Sequence, residues 1–430
     1  MLEWVEKEKK GMNVNNDSIE GQAGDNEKVN GLSSLYTERA KGMHASVIRE
    51  ICKLIARPEV RSMAGGWPDP QTFPAAKIAE IAAELFTEKP ESVLQYGTSE
   101  GYEFLREELA RFVKRRDGID VAVDEIVLTH GSTQGIELAA RILLEPGDVA
   151  FVGLPTYFGG SETCAGYGAE LVGVPLDDYG MIPEALGERL EEAVSAGKRP
   201  KLVYVIPDYQ NPTGATMPVE RRRAMVELAN RYNIAIIEDN PYRDLCFTGK
   251  PLPPIKAFDT EGRVVYLRSF SKIFCPGFRL AMAIGETDMV RKMVIARQFE
   301  DCCVNSFGQY LLYEFVKRGH IDEQIEINAR FYKEKRDHLL ALLDEHFPDT
   351  VRWNRPEGGF FVFVHMGEGF DSEEFLHEAV DQNVAFVAGP PFFIDDSGRD
   401  TFRLSFAQLG MSEMEEAVAV LGRLLKEKTK

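Results

Sequence analysis

Seven short apolar segments between residues 126 and 284 restrict what this chain can fold into. Residues 126–129, 149–152, 171–174, 202–206, 234–237, 264–267 and 281–284 are each four or five residues long and rich in Val, Ile and Leu. Runs of that length and composition read as buried strands. Helical segments such as 221–232 separate several of them. Short, wholly apolar strands alternating with helices predict a seven-stranded, mostly parallel sheet covered by helices on both faces, an α/β architecture. Sheets of this kind place a ligand beyond the carboxyl ends of their strands.

Polar residues follow several of these strands. Gly131-Ser132-Thr133-Gln134-Gly135 comes after 126–129 and opens a helix with Ile136, Ala139, Ala140 and Leu143 on one face. A helix start of this type offers free backbone N–H groups and the positive end of the dipole, which is a phosphate seat, although Ser and Thr there also serve as plain caps. Pro155-Thr156-Tyr157, Pro207-Asp208-Tyr209-Gln210-Asn211-Pro212-Thr213-Gly214 and Glu238-Asp239-Asn240-Pro241-Tyr242 stand after three other strands. After 264–267 comes Ser269-Phe270-Ser271-Lys272-Ile273-Phe274-Cys275-Pro276-Gly277-Phe278-Arg279. A lysine between two core strands has no packing reason to be there. Desolvated beside another cation it becomes a nucleophilic amine able to form a Schiff base. Lys272 is therefore the candidate for holding an aldehyde cofactor, with Ser269, Ser271 and Arg279 on that cofactor's phosphate.

The 430 residues suffice for a large core and more than one domain. Residues 1–32, rich in Asn, Asp, Glu, Gly and Lys, read as a disordered arm without the apolar region of a signal peptide. Residues 33–75 form an N-terminal segment that includes a helix from Ser46 and a breaker-rich loop, Ala64-Gly65-Gly66-Trp67-Pro68-Asp69-Pro70. Residues 76–320 are expected to make the large domain, and 321–430 a smaller α/β domain with a helix over 325–347 and strands at 360–364, 384–387 and 401–406. A net charge of -19 opposes binding to nucleic acid or anionic membrane but leaves room for a local cationic pocket. No apolar run is long enough for a membrane helix. The six dispersed cysteines predict free thiols in a reducing cytoplasm, with no metal site.

Taken together, the motifs resemble those of fold-type I, pyridoxal-phosphate-dependent aminotransferases of class I/II, and most of all the 2-aminoadipate (LysN-like) and kynurenine aminotransferases. They run in order from about residue 33 to the C-terminus: Gly65-Gly66-Trp67-Pro68, Gln95-Tyr96 with Gly101, Gly131-Ser132-Thr133-Gln134, Asn211-Pro212-Thr213-Gly214, Asp239 with Tyr242, Ser269-Phe270-Ser271-Lys272, Gly277-Phe278-Arg279 and Phe402-Arg403-Leu404-Ser405. The resemblance implies that Lys272 binds pyridoxal 5'-phosphate covalently and shuttles a proton. It implies that Asp239 keeps the pyridine nitrogen protonated, that Asn211 and Tyr242 bond the ring hydroxyl oxygen, and that Tyr157 stacks on the ring. Ser132, Thr133, Gln134, Ser269, Ser271 and Arg279 belong to the cofactor site, and Tyr96 to the phosphate of a partner subunit in a homodimer. Arg403 holds the substrate α-carboxylate, Asn211 and Gly66 border the substrate, and Arg49 meets an acidic side chain. Thr133 and Ala281 depart from the usual pattern at the phosphate end, and Cys302-Cys303 leave the substrate open. The implied reaction is ping-pong transfer from an L-amino acid to 2-oxoglutarate. A lyase or decarboxylase on the same scaffold is the alternative, and the effector domain of a MocR-like regulator a remote one that needs a winged-helix domain.

Overall fold

The computed structural model describes residues 31–42, 57, 59–395 and 397–428. The helix expected from Ser46, and Arg49 on it, lie outside the described residues. The chain divides into two compact units, Met1–Met43 and His44–Lys430. In the first, Leu32–Leu35 make a 3-10 turn and Glu38–Lys41 a single helical turn.

The second unit opens with the two-residue strand β1 (Arg61–Ser62) and contains an eight-stranded sheet. Its strands are β2 (Ile126–His130), β3 (Asp148–Leu154), β4 (Glu170–Asp177), β5 (Gly180–Met181), β6 (Arg199–Val205), β7 (Ala235–Asp239), β8 (Val264–Ser269) and β9 (Leu280–Ile284). They lie in the order β2-β9-β8-β7-β6-β3-β4-β5. All seven expected strands form. The eighth, β5, is an antiparallel edge hairpin on β4, too short to carry a periodic signal. Neighbours from β4 through β8 pair in parallel, while β9 runs antiparallel to both β8 and β2. Two reversals restore the direction, so β2 points the same way as β3, β6, β7 and β8. Register then aligns their carboxyl ends: Val205 faces Glu238 and Asp239 faces Leu267. The polar loops after these strands are thereby gathered at one edge.

Side-chain alternation explains why the sheet is buried on both faces. Leu202 and Tyr204 join one core with Ile136 and Leu267, whereas Val203 and Val205 join another with Leu190 and Met225. Each of these apolar side chains contributes about 1.5–3 kcal/mol on burial. A second sheet has four strands in the order β10 (Arg352–Trp353), β11 (Phe361–His365), β14 (Thr401–Ser405) and β13 (Val387–Ala388), all antiparallel. The stretch expected as one strand at 384–387 divides at buried Phe386. Its first half, β12 (Val384–Ala385), pairs with β1 and its second half with β14. The long helix spans His320–His346 rather than starting at 325, because Gly319 takes a left-handed φ of 77° and Asp322 and Glu323 suit the positive end of the dipole.

Candidate active site

A cavity of about 320 Å³ lies at the carboxyl edge of the large sheet, against β11 and β14 of the small one. Its size suits a cofactor with a small substrate. Twelve of the fifteen residues singled out in the sequence line it: Gly66, Ser132, Thr133, Tyr157, Asn211, Asp239, Tyr242, Ser269, Ser271, Lys272, Arg279 and Arg403.

One end is an anion seat. The helix Gly131–Leu143 starts directly from β2 and brings Ser132 and Thr133 to the wall. Gly131 has a φ of 75°, a left-handed setting that favours glycine, and a Cβ there would press on the tip of the Arg279 side chain. Arg279 itself is held left-handed at φ 52°, a strained setting for a side chain of its size. Its Nη1 lies 3.4 Å from Ser271 Oγ, to which it donates. Ser269 Oγ accepts the Ser271 N–H at 3.2 Å. Two hydroxyls, a guanidinium and a helix start converge there.

Lys272 is half-buried in the cavity wall. Its Nζ donates to the Gly66 carbonyl at 2.7 Å and has no carboxylate partner among the described residues. Burial, then the cations Arg279 and Arg403, lower its pKa to about 8, with Asp239 opposing. Asp239 ends β7 fully buried. Tyr204 donates to its Oδ2 at 2.9 Å, while Oδ1 has no partner among the described residues. Burial raises its pKa to about 6, against the pull of Tyr204, Ser132 and Lys272. Tyr242 sits edge-on to Phe361, with ring centres 5.5 Å apart, and burial raises its pKa as well.

At the other end Arg403 projects from β14. It donates to Asn211 Oδ1 at 2.7 Å and to the Ala64 carbonyl at 2.5 Å, and lies 4.1 Å over the Phe361 ring. Its buried Nε has no partner, and burial lowers its pKa to about 10. A guanidinium parked on two neutral oxygens is free to take a carboxylate.

Two of the described candidates are not in the wall. Gln134 turns its side chain away: it accepts from the His130 N–H at 2.8 Å and donates to Asp301 at 2.6 Å, which occupies its amide. The side chain expected at the cofactor is thus committed to the turn after the helix Thr287–Gln298. Tyr96 is 81% exposed. Arg49 is outside the described residues. Conversely, Trp67, Phe158, Ile206, Pro241 and Phe361 line the cavity without having been singled out for it, and neither had Tyr204, which braces Asp239. Tyr204 interrupts an otherwise aliphatic strand beside the one ending in Asp239, and that was the signal available for it.

Comparison with known proteins agrees with this geometry. The family described as aminotransferase class I and II matches residues 63–421, and the chain belongs to it. It is similar to the aromatic-amino-acid aminotransferase 1 of Thermococcus litoralis, 42% identical over 92% of this chain and 95% of the relative. It is also similar to the 2-aminoadipate transaminase of Thermus thermophilus, at 36% identity over 92% of this chain and 97% of that one. The crystal structure of Pyrococcus horikoshii kynurenine aminotransferase in complex with PMP superposes with a TM-score of 0.89, at 39% identity, covering 93% of this chain and 99% of that one.

The protein is a transaminase of fold type I whose cofactor is pyridoxal 5'-phosphate. The residues present fit that group. Asp239 Oδ1 is a buried acceptor awaiting a donor, Lys272 is an amine without a counter-ion, and the anion seat stands at the far end.

Proposed function

We propose that this enzyme moves an amino group from an L-amino acid to 2-oxoglutarate in two half-reactions at this one site. The observation that carries the reading is a half-buried lysine amine with no carboxylate partner among the described residues, in the same cavity as a buried carboxylate with one oxygen unpaired among them. When bound, pyridoxal phosphate supplies the aldehyde that accepts the amino group and a ring that withdraws electrons from the substrate Cα.

The chain's own residues do the rest. Ser132, Thr133, Ser269, Ser271 and Arg279 take the phosphate, Arg279 through a charge-assisted contact. Asp239 Oδ1 would accept from the ring nitrogen of the bound cofactor, with Tyr204 fixing the other oxygen. Tyr157, Asn211 and Tyr242 would hold the ring. Lys272 would serve as the base for the proton on the substrate Cα. Arg403 exchanges its two neutral acceptors for the substrate α-carboxylate, and Gly66 allows substrate to approach the backbone.

Trp67, Phe158 and Phe361 in the wall support aromatic or kynurenine-like donors. The 2-aminoadipate and aromatic relatives support a range that includes 2-aminoadipate, glutamate and branched aliphatic amino acids. Arg49 is the candidate for an acidic side chain. The exposure of Tyr96 supports its reaching the phosphate in a partner subunit, which makes the working unit a homodimer. The free thiols at Cys164, Cys246, Cys275, Cys302 and Cys303 support a cytoplasmic setting.

The test is a half-reaction panel: the loaded enzyme is mixed with each amino acid, and conversion to the pyridoxamine form is followed by absorbance. Conversion by aromatic amino acids, 2-aminoadipate and glutamate, reversed by 2-oxoglutarate, is expected. Carbon dioxide release or olefin formation without that conversion would overturn the reading.

A further inference from the structure

Lys335 is a buried cation that the chemistry above does not use. Its side chain and that of Asp69 are each 4% exposed, and they pair at 2.6 Å. Lys335 also donates to the Ala407 carbonyl at 2.8 Å, just past the strand that carries Arg403. Lys335 belongs to a stripe on the helix His320–His346 formed with Gln324, Asn328 and Tyr332, at spacings of four, four and three. The stripe bonds to the loop at 69–72, to the carbonyl just past β14 and, through Asn328, to Lys272. Gln324 donates to the Thr72 carbonyl at 2.6 Å, Asn328 to the Lys272 carbonyl at 3.2 Å, and the Tyr332 hydroxyl accepts the Asp69 N–H at 2.8 Å.

Asp69 completes the fixation from the loop side. Its Oδ1 accepts from the Gln71 N–H at 3.0 Å, and its carbonyl accepts from the Thr72 hydroxyl at 2.7 Å. Three residues upstream the same loop meets the reacting groups: the Gly66 carbonyl takes the Lys272 amine and the Ala64 carbonyl the Arg403 guanidinium. The approach is tight, since a Cβ on Gly66 would stand 2.8 Å from the Phe361 ring. A shift of well under 1 Å in this loop would change both contacts.

We propose that the Lys335–Asp69 pair is a positioning device for residues 64–68, fixing the Ala64 and Gly66 carbonyls against Arg403 and Lys272. Neither residue touches substrate or cofactor. A buried pair of this kind adds little net stability over apolar residues of the same volume, but breaking one partner alone strands a charge. Its value here is geometric.

The experiment uses the full chain loaded with pyridoxal phosphate, with Trp4→Phe and Trp353→Phe so that Trp67 is the sole indole reporter on the loop. Asp69→Asn and the double variant Asp69→Asn with Lys335→Met, which removes both charges, are compared with this parent. Both are expected to shift Trp67 emission and to raise the amino-acid KM at least fivefold while kcat stays within threefold. In the unmodified enzyme the Gln71 and Thr72 amides are expected to exchange with deuterium as slowly as the helix His320–His346. Parent-like emission and KM within twofold in the double variant would overturn the proposal. So would exchange of those two amides at the rate of exposed loops, an arm that stands even if neither variant folds. The kinetic arm rests on the reading of Arg403 and Lys272 given above. Emission and exchange do not, so the two failures are distinguishable.

Discussion

The state of Lys272 before cofactor arrives is the most quantitative consequence of the site. An amine attacks an aldehyde only as the free base, so loading of cofactor-free protein should follow the neutral fraction of Lys272. With its pKa at about 8, about 10% of the amine is neutral at pH 7, against about 0.03% for an unperturbed lysine, a gain on the order of 300-fold. The sign follows from the causes. Burial and the two guanidiniums oppose the ammonium, so the pKa falls and the reactive form persists to lower pH. Stopped-flow absorbance after mixing with pyridoxal phosphate measures the rate from pH 6 to 10. The rate should climb about tenfold per pH unit up to about 8 and then level off. Replacing Arg403 by Met removes a cation and should move the plateau to higher pH. Replacing Asp239 by Asn removes an anion and should move it to lower pH. A rate still climbing tenfold per unit between pH 9 and 10 would refute the account of a desolvated, cation-flanked amine.

Other substitutions separate the remaining roles. Asp239→Asn should leave cofactor bound but lower kcat on the order of 100-fold or more, as expected for loss of a preorganised charge; kcat within a fewfold of the parent would remove Asp239 from the ring nitrogen. Arg403→Lys gives up the planar fork and should weaken amino acids and oxo acids alike by roughly 10- to 100-fold in half-reaction titrations. An effect on one substrate class alone counts against the carboxylate role. Tyr96→Phe should weaken cofactor binding by about 3- to 10-fold, the worth of one hydrogen bond. In mixed dimers with a Lys272→Ala subunit, the Tyr96→Phe defect should follow the partner's site, and a defect confined to the mutated subunit's own site would exclude a shared phosphate contact.

Much of this site could be read before the structure because it is written in strand ends. Asp239 and Ser269 stand where an apolar run stops and Arg279 where one begins, and parallel β7 and β8 with antiparallel β9 must bring those positions to one edge. What escaped depended on contacts distant in sequence. Gln134 sits in the right motif, but its direction is decided by Asp301, 167 residues away. Lys335 looks like one more solvated charge on a helix rich in them, and only Asp69, 266 residues off, makes it internal. The division of 384–387 into two strands goes with Phe386 packing against Phe375 and Phe402, contacts distant from the apolar run itself. The Gly180–Met181 strand is simply shorter than any periodic pattern can reveal.

Two of the cavity's cations, Lys272 and Arg403, rest on neutral oxygens, inside a molecule that carries a net charge of -19. An approaching oxo acid or phosphate therefore meets two fields of opposite sign. Far out it feels the anionic surface, and within the mouth it feels Lys272, Arg279 and Arg403. Salt screens the first across a Debye length of about 8 Å at physiological ionic strength and reaches the second, inside its low-dielectric walls, far less. Added salt should thus speed the capture of anionic ligands, the reverse of the usual behaviour of a cationic binding site. For this protein, ionic strength acts as an admission control on a pocket whose sign differs from that of its surroundings.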